Sequence, residues 1–340
     1  MLKDLAKKLL YASGVLGLYH RVRNANSLTV VMFHRTLTPE DPRWQTCDPD
    51  YTIATRWLDS SLRFFKRHYN VVSLDQLLAA RLGASALPKR PLLITFDDGW
   101  SDNVEHALPA LQHHGLPAVM FVVADAVGSL QPFFQEQLIG AWRRGAVKVA
   151  DLVAALRSSG MRQPLPSGED MAGLRDVICC IEGLAPSERQ LLLAPFADAM
   201  DDGMRHMVDV DELRRLQSGG VALGLHGKTH VPMTRATDLE SELAGARKAL
   251  ASMMGHLEPQ ARSMSFPHGA HDRDIAAQAH GSGYELVFTS VPVLNPVRPG
   301  VGWLLGRTGY ETDSVVDAGG NFRPDWLAIY LFRRPSQRLG

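Results

Sequence analysis

The sequence predicts an α/β protein, a parallel sheet wrapped by helices. Short apolar runs alternate with amphipathic helical stretches along most of the chain. The clearest apolar runs stop abruptly at His or Asp, and one long central stretch is helical throughout. The first feature is the signature of β/α units; the second places chemistry at strand ends; the third marks an insertion.

Residues 1–26 form a separate N-terminal element. The segment carries Lys3, Lys7, Lys8, Arg21 and Arg23 among Leu2, Leu5, Leu9, Leu10, Val15, Leu16 and Leu18. Its apolar stretch is interrupted by Ser13 and two glycines and is too short to span a bilayer. It also lacks the long apolar core and cleavage site of a secretory signal. A basic amphipathic helix is expected, either packed on the domain or touching an anionic membrane surface. The expected location is cytoplasmic or peripheral on the inner membrane face.

The main domain runs over 27–335. SLTVVMF, Ser27 to Phe33, reads as a buried strand ending at His34. A helix over Arg56 to His68 puts Trp57, Leu58, Leu62 and Phe65 on one face. A short strand at Val71-Val72 and a helix over Leu74 to Leu82 follow. PLLITF, Pro91 to Phe96, is the clearest buried strand and ends in Asp97-Asp98-Gly99. Next come a helix over Val104 to His113 and a strand over Ala118 to Val123. From about 128 to about 207 the alternation gives way to helices, read as an insertion capping one end of the sheet. The alternation resumes with a helix at Val210 to Leu216 and the strand VALGL, Val221 to Leu225, which runs into His226-Gly-Lys-Thr-His230. A helix over Leu239 to Met253, a strand over Ser263 to Phe266, a helix over Asp272 to Ser282 and a strand over Leu286 to Thr289 complete the pattern. Trp326 to Phe332 is apolar enough to close the core.

Composition narrows the function. The 340 residues are 45% hydrophobic and 21% charged, which excludes wholesale disorder. Lys plus Arg and Asp plus Glu are each 36, so no basic excess supports nucleic-acid binding. Cys47, Cys179 and Cys180 cannot make a disulfide framework, and the adjacent pair reads as small buried hydrophobes. Any metal must therefore be held by His and carboxylate.

Polar residues ending successive parallel strands meet on one rim. His34, Asp97-Asp98 and His226 with His230 all stand at such ends. On one helical turn the HxxxH spacing would put both imidazoles on one face, and Asp98 would complete a set of three ligands. Adjacent aspartates point apart, so one can bind a cation while the other serves as a general base. Asp-Asp before Gly also serves as a turn or helix cap, and HxxxH also occurs on surfaces. Their joint placement after buried strands favours the site.

TFDDG at Thr95 to Gly99, HGKTH at His226 to His230 and SFPHG at Ser265 to Gly269 resemble the polysaccharide deacetylase family (NodB-homology, carbohydrate esterase 4). VVMFHRTL and HGSGYELVFTS resemble segments of its exopolysaccharide-type members, and the resemblance spans about Leu28 to Tyr310. It implies a distorted (β/α) barrel removing acetyl from an N-acetylhexosamine in a surface polysaccharide, lipopolysaccharide or lipid-linked glycan. It further implies one divalent cation, zinc first, with cobalt, nickel, manganese or iron as alternatives. On this resemblance Asp97 is the base, Asp98, His226 and His230 are the metal ligands, and Phe266, Pro267, His268 and Gly269 shape the substrate groove. Arg307 would orient Asp97. The sequence departs from the family at Gly227, where Ser or Thr is usual, and no histidine follows His280 to supply the usual Leu-x-His acid. His34, His268 or His271 would then donate the proton. A deformylase or amidase acting on another N-acyl sugar and a glycan-binding protein without catalysis are the competing expectations.

Overall fold

The computed structural model describes residues 2–162, 168–258, 260–310 and 312–340. Met1 of the expected N-terminal element and 163–167 of the expected insertion lie outside the described residues. The chain forms two compact units, one of residues 1–38, 50–129 and 207–340, the other of 39–49 and 130–206.

The first unit opens with helices α1 (Leu2–Ala12) and α2 (Val15–Arg23), then strand β1 (Ser27–Phe33). The single N-terminal helix expected from sequence is thus two. Gly14 adopts φ 79, a left-handed conformation that glycine takes without steric cost and that ends α1. Two short strands, β2 (Arg35–Leu37) and β3 (Thr52–Ala54), pair with each other. Then come α3 (Thr55–His68), β4 (Asn70–Val71), α4 (Leu74–Arg81), β5 (Pro91–Phe96), α5 (Leu108–His114) and β6 (Ala118–Val122). The second unit supplies α6 (Phe134–Arg143), α7 (Val149–Ser158), α8 (Met171–Glu182), α9 (Pro186–Leu193) and α10 (Ala197–Met200). The first unit resumes with α11 (Val210–Ser218), β7 (Val221–Leu225), α12 (Ala246–Met254), β8 (Ser263–Ser265), α13 (Arg273–Gly281) and β9 (Leu286–Phe288). It ends with β10 (Asn295–Pro296), β11 (Leu304–Leu305), β12 (Thr308–Gly309) and α14 (Pro324–Phe332).

The large sheet runs β12-β1-β5-β6-β7-β8-β9-β11, every one of these neighbours parallel. β10 pairs antiparallel with the start of β1, and β4 lies beside the start of β5. Only Gly306 and Arg307 separate β11 from β12, the two ends of this order, so the sheet comes close to closing on itself. Strand residues alternate between two apolar layers, as a closed sheet demands. Leu28, Val30, Leu93, Val119, Phe121, Leu286 and Phe288 form the inner layer. Val31, Phe33, Leu92, Ile94, Phe96 and Met120 meet the helices outside. Leu93, Thr95 and Asp97 therefore share the inner face, which carries Asp97 into the barrel mouth.

The second unit has a core of its own, built from Leu138, Ile139, Leu152, Leu156, Leu174, Val177, Ile178 and Ile181. The cysteine expectation fails here: Cys179 is exposed and Cys180 half-buried. Leu174, Val177, Ile178 and Ile181 already fill the inward stripe of α8, so its helical period turns Cys179 outward. Among the described residues no helix is long and apolar enough to cross a membrane.

Residues of α2 pin the N-terminus to α14. His20 is 1% exposed, stacks on Phe332 at 4.0 Å, and takes a hydrogen bond from Asn24 Nδ2 on its Nδ1. Burial, aided by the charges of Arg90 and His68, pushes its pKa down to about 3. Below pH 6.5 the unfolded chain takes up a proton that the folded chain refuses, so stability falls as pH falls. Thermal denaturation should show Tm dropping between pH 6.5 and 4, with His20 contributing on the order of 3 kcal/mol. A slope left unchanged by His20→Gln would remove this residue from the account.

Candidate active site

Five chain segments bring polar side chains to the C-terminal ends of the strands. β1 ends at His34, β5 at Asp97, β7 at His226 and β8 at Ser265, while Arg307 stands in the seam between β11 and β12. In parallel barrels this rim carries the chemistry.

Asp97 is buried, and Arg307 grips it with both guanidinium nitrogens. Nη1 donates to Oδ1 and Nη2 to Oδ2, each at 2.7 Å. Arg307 is itself buried and fixed by donating from Nε to the Thr289 carbonyl. Burial alone would raise the Asp97 carboxyl, but the Arg307 charge and hydrogen bonds, with His226 and His34, hold it below the usual carboxylate range. Asp97 is therefore an anion aimed into the mouth.

Asp98 follows with its backbone at φ 76, and Gly99 after it at φ 86. Its Oδ1 lies 3.4 Å from His226 Nε2 and 3.3 Å from His230 Nε2. Two ligand atoms held about 2.0–2.2 Å from a cation at near-tetrahedral angles lie about 3.3–3.6 Å apart. The three groups thus have the spacing and donor chemistry of a divalent-cation site. His226 Nδ1 stands 2.6 Å from the Ser265 hydroxyl and 3.0 Å from the Ser265 carbonyl oxygen; the carbonyl can only accept and the hydroxyl donates onward to Asp97, which favours the proton on Nδ1 and the lone pair on Nε2. Burial, only partly offset by Asp97 and Asp98, pushes the His226 pKa down to about 4, which keeps the imidazole neutral.

The two histidines do not share a helical turn. HGKTH is an irregular loop with φ 75 at Gly227 and φ 65 at His230. Glu242 holds it: Oε2 accepts from the Lys228 and Thr229 amides, and Oε1 from the Thr229 hydroxyl at 2.6 Å. A Cβ at Gly227 would meet Met233 at 2.9 Å and Glu242 and Pro267 at 3.2 Å. The departure from Ser or Thr at this position therefore follows from backbone shape, with Glu242 supplying the anchoring. Left-handed backbone at Asp98 and His230 is strain held at two would-be ligands.

Trp100 stands behind this candidate cation site. Its indole donates to Asp98 Oδ2 at 2.9 Å, leaving Oδ1 for the histidine side. Arg35 lies over the buried Trp100 ring at 4.3 Å and is paired with Asp102 at 2.9 Å. Trp100, Ser265 and Glu242 were not assigned roles from sequence. The first two stand beside or inside the recognised motifs, whereas nothing local to Glu242 signals its function.

His34 lines a cavity of about 340 Å³ with Tyr51, Ser290, Tyr310, Thr312 and Ser314. Small-ligand sites commonly run from about 300 to 1,000 Å³. The His34 ring meets Tyr51 edge-on at 4.8 Å. Phe266 and Pro267 are buried and shape their loop from below, Phe266 lying flat on His271. His268 is exposed, 4.6 Å from the His230 ring. Gly269 approaches Ser290 too closely for any Cβ. His271 Nδ1 is engaged by the Gly269 carbonyl.

A family model described as polysaccharide deacetylase matches residues 84–162 and 184–287, more than half of the chain. The chain belongs to the polysaccharide deacetylase family. Among curated members it is 30% identical over 128 residues to the poly-β-1,6-N-acetyl-D-glucosamine N-deacetylase of Staphylococcus aureus strain MSSA476. That match covers 37% of this chain and 41% of the relative, so the chain spans less than half the length of that deacetylase. Two solved family structures share the fold across 90% of this chain, each with a TM-score of 0.56. One is the Streptococcus pyogenes deacetylase PplD in complex with acetate, 12% identical and covered to 98%. The other is IcaB from Ammonifex degensii, 18% identical and covered to 97%.

Proposed function

We propose that this protein is a divalent-cation-dependent N-deacetylase acting on an N-acetylhexosamine in a surface polysaccharide, lipopolysaccharide or lipid-linked glycan intermediate. The observation that carries the reading is the Arg307-clamped Asp97 carboxylate beside the Asp98, His226 and His230 cluster. The deacetylase relative acts on a poly-N-acetylglucosamine by name, and the PplD structure holds acetate, the acid such a reaction releases.

Asp98, His226 and His230 would hold the cation, zinc first. When bound, it supplies Lewis acidity toward the amide carbonyl and makes water a nucleophile near neutral pH. Asp97 takes the proton from the attacking water. Arg307 positions that carboxylate and keeps it ionised. His34, at the cavity wall, donates the proton that lets the amine leave as the C–N bond breaks and acetate forms. His268 and Gly269, with the buried Phe266 and Pro267 beneath them, border the sugar. The basic, apolar segment 1–23 supports work beside a membrane, at the cytoplasmic face where lipid-linked precursors would be met.

Acid released from N-acetyl and N-formyl hexosamine oligomers and from lipid-linked sugars, with zinc or cobalt added, tests the reading. Acetate supports it, and formate alone would make the protein a deformylase. Silence at full metal occupancy would favour a glycan-binding protein. Trp100→Phe should weaken cation binding by about 10- to 100-fold, because Asp98 loses its orienting donor. Competition against a chromophoric chelator measures this, and unchanged affinity would detach Trp100 from the site.

A further inference from the structure

The N-terminal helices bury little of their apolar surface, with Leu16 alone of their leucines and valines in the core among the described side chains. Several of their polar groups face the protein. Asp4 accepts from Arg323 at 2.8 Å and from the Trp326 indole, and Lys7 lies over the Trp326 ring. Tyr11 is hydrogen-bonded to His68, and His20 and Asn24 are buried against Phe332. The apolar side faces outward: Leu5, Leu9, Leu18 and Val22 are 59%, 60%, 62% and 74% exposed. Leu10 and Val15 are 44% and 51% exposed. So many exposed large apolar side chains on two short helices mark a docking face.

Charge selects the occupant. Lys8 and Arg21 flank the apolar side and are exposed, whereas the one acid in 2–24, Asp4, is engaged by Arg323. A symmetric pairing of two copies through this face would bring those cations together. An anionic headgroup layer matches both the apolar ridge and its cationic margin. We propose that α1 and α2 lay Leu5, Leu9, Leu18 and Val22 into the interface of an anionic phospholipid bilayer.

These helices also fix how the barrel meets that surface. α1 runs from Arg323 to His68, across α14 and the far end of α3 in the outer helical layer. The wall of the barrel, rather than the rim bearing Asp97, would face the lipid, leaving the mouth open to a glycan at the bilayer surface. The inference rests on the membrane-side reading above for its purpose, but its test involves no catalysis.

The full chain is sedimented with vesicles of phosphatidylcholine alone or mixed with phosphatidylglycerol. Binding is expected to the mixed vesicles and to fall roughly tenfold in high salt. Leu9→Glu with Leu18→Glu should abolish it while leaving Tm and acetate release from soluble substrate unchanged, since both leucines are mostly exposed. Lys8→Glu with Arg21→Glu should remove the preference for anionic vesicles. No sedimentation of the wild type, or equal sedimentation of the leucine variant, overturns the proposal. So would light scattering that shows a dimer dissolved by the leucine substitutions, which would assign the face to a second copy.

Discussion

Asp97→Asn is expected to reduce deacetylation by about 10³-fold while leaving the bound cation in place. The two effects separate because the consecutive carboxylates have different partners. Asp98 shares its Oδ1 with the Nε2 atoms of His226 and His230. Asp97 lies 4.0 Å from His226 Nε2 and gives both oxygens to Arg307. An amide at position 97 keeps the shape of the side chain but has no basicity toward a water proton. His226→Ala, in contrast, should lose metal and activity together. Metal content by mass spectrometry and acetate release on the same preparations make the comparison. An Asp97→Asn protein within tenfold of wild type would show that another group takes the proton.

What could be read from the sequence, and what could not, divides along physical lines. The strand ends were legible because parallel strands are short apolar runs, and a polar group interrupting one is conspicuous. His34, Asp97 and His226 stand directly after Phe33, Phe96 and Leu225, the last residues of their strands. The helical turn expected for HGKTH was wrong because spacing reports only local periodicity. The loop is shaped by Glu242, reaching back from the segment that precedes α12. Trp100 and Ser265 act through distances of about 3 Å that only the folded chain creates. The Cys179-Cys180 expectation failed for the same reason, since an apolar run on a helix has an outer side too. Arg307 was legible as a resemblance, but its force comes from topology. It occupies the two-residue link where the sheet nearly closes, and only β1 lies between β12 and the strand that carries Asp97.

That position makes Arg307→Met the variant with the largest expected effect on the folded state. Removing the guanidinium leaves the Asp97 carboxylate buried without a counter-charge, which typically costs about 3–5 kcal/mol. Arg307 is 1% exposed, so water cannot easily fill its place. With the guanidinium gone, the burial that opposes ionisation dominates and the carboxyl pKa rises. The acid limb of the kcat/KM profile should therefore move to higher pH, an effect that simple loosening of the barrel seam would not produce. Arg307→Lys keeps the charge but not the paired hydrogen bonds, and should restore part of the stability and of the profile. The decisive comparison is the double variant Arg307→Met with Asp97→Asn. Each partner left alone is a buried charge, but together the substitutions leave none, so the double variant should unfold at a higher temperature than Arg307→Met. If the two losses instead add, the pair is not coupled and Arg307 holds the seam by packing alone.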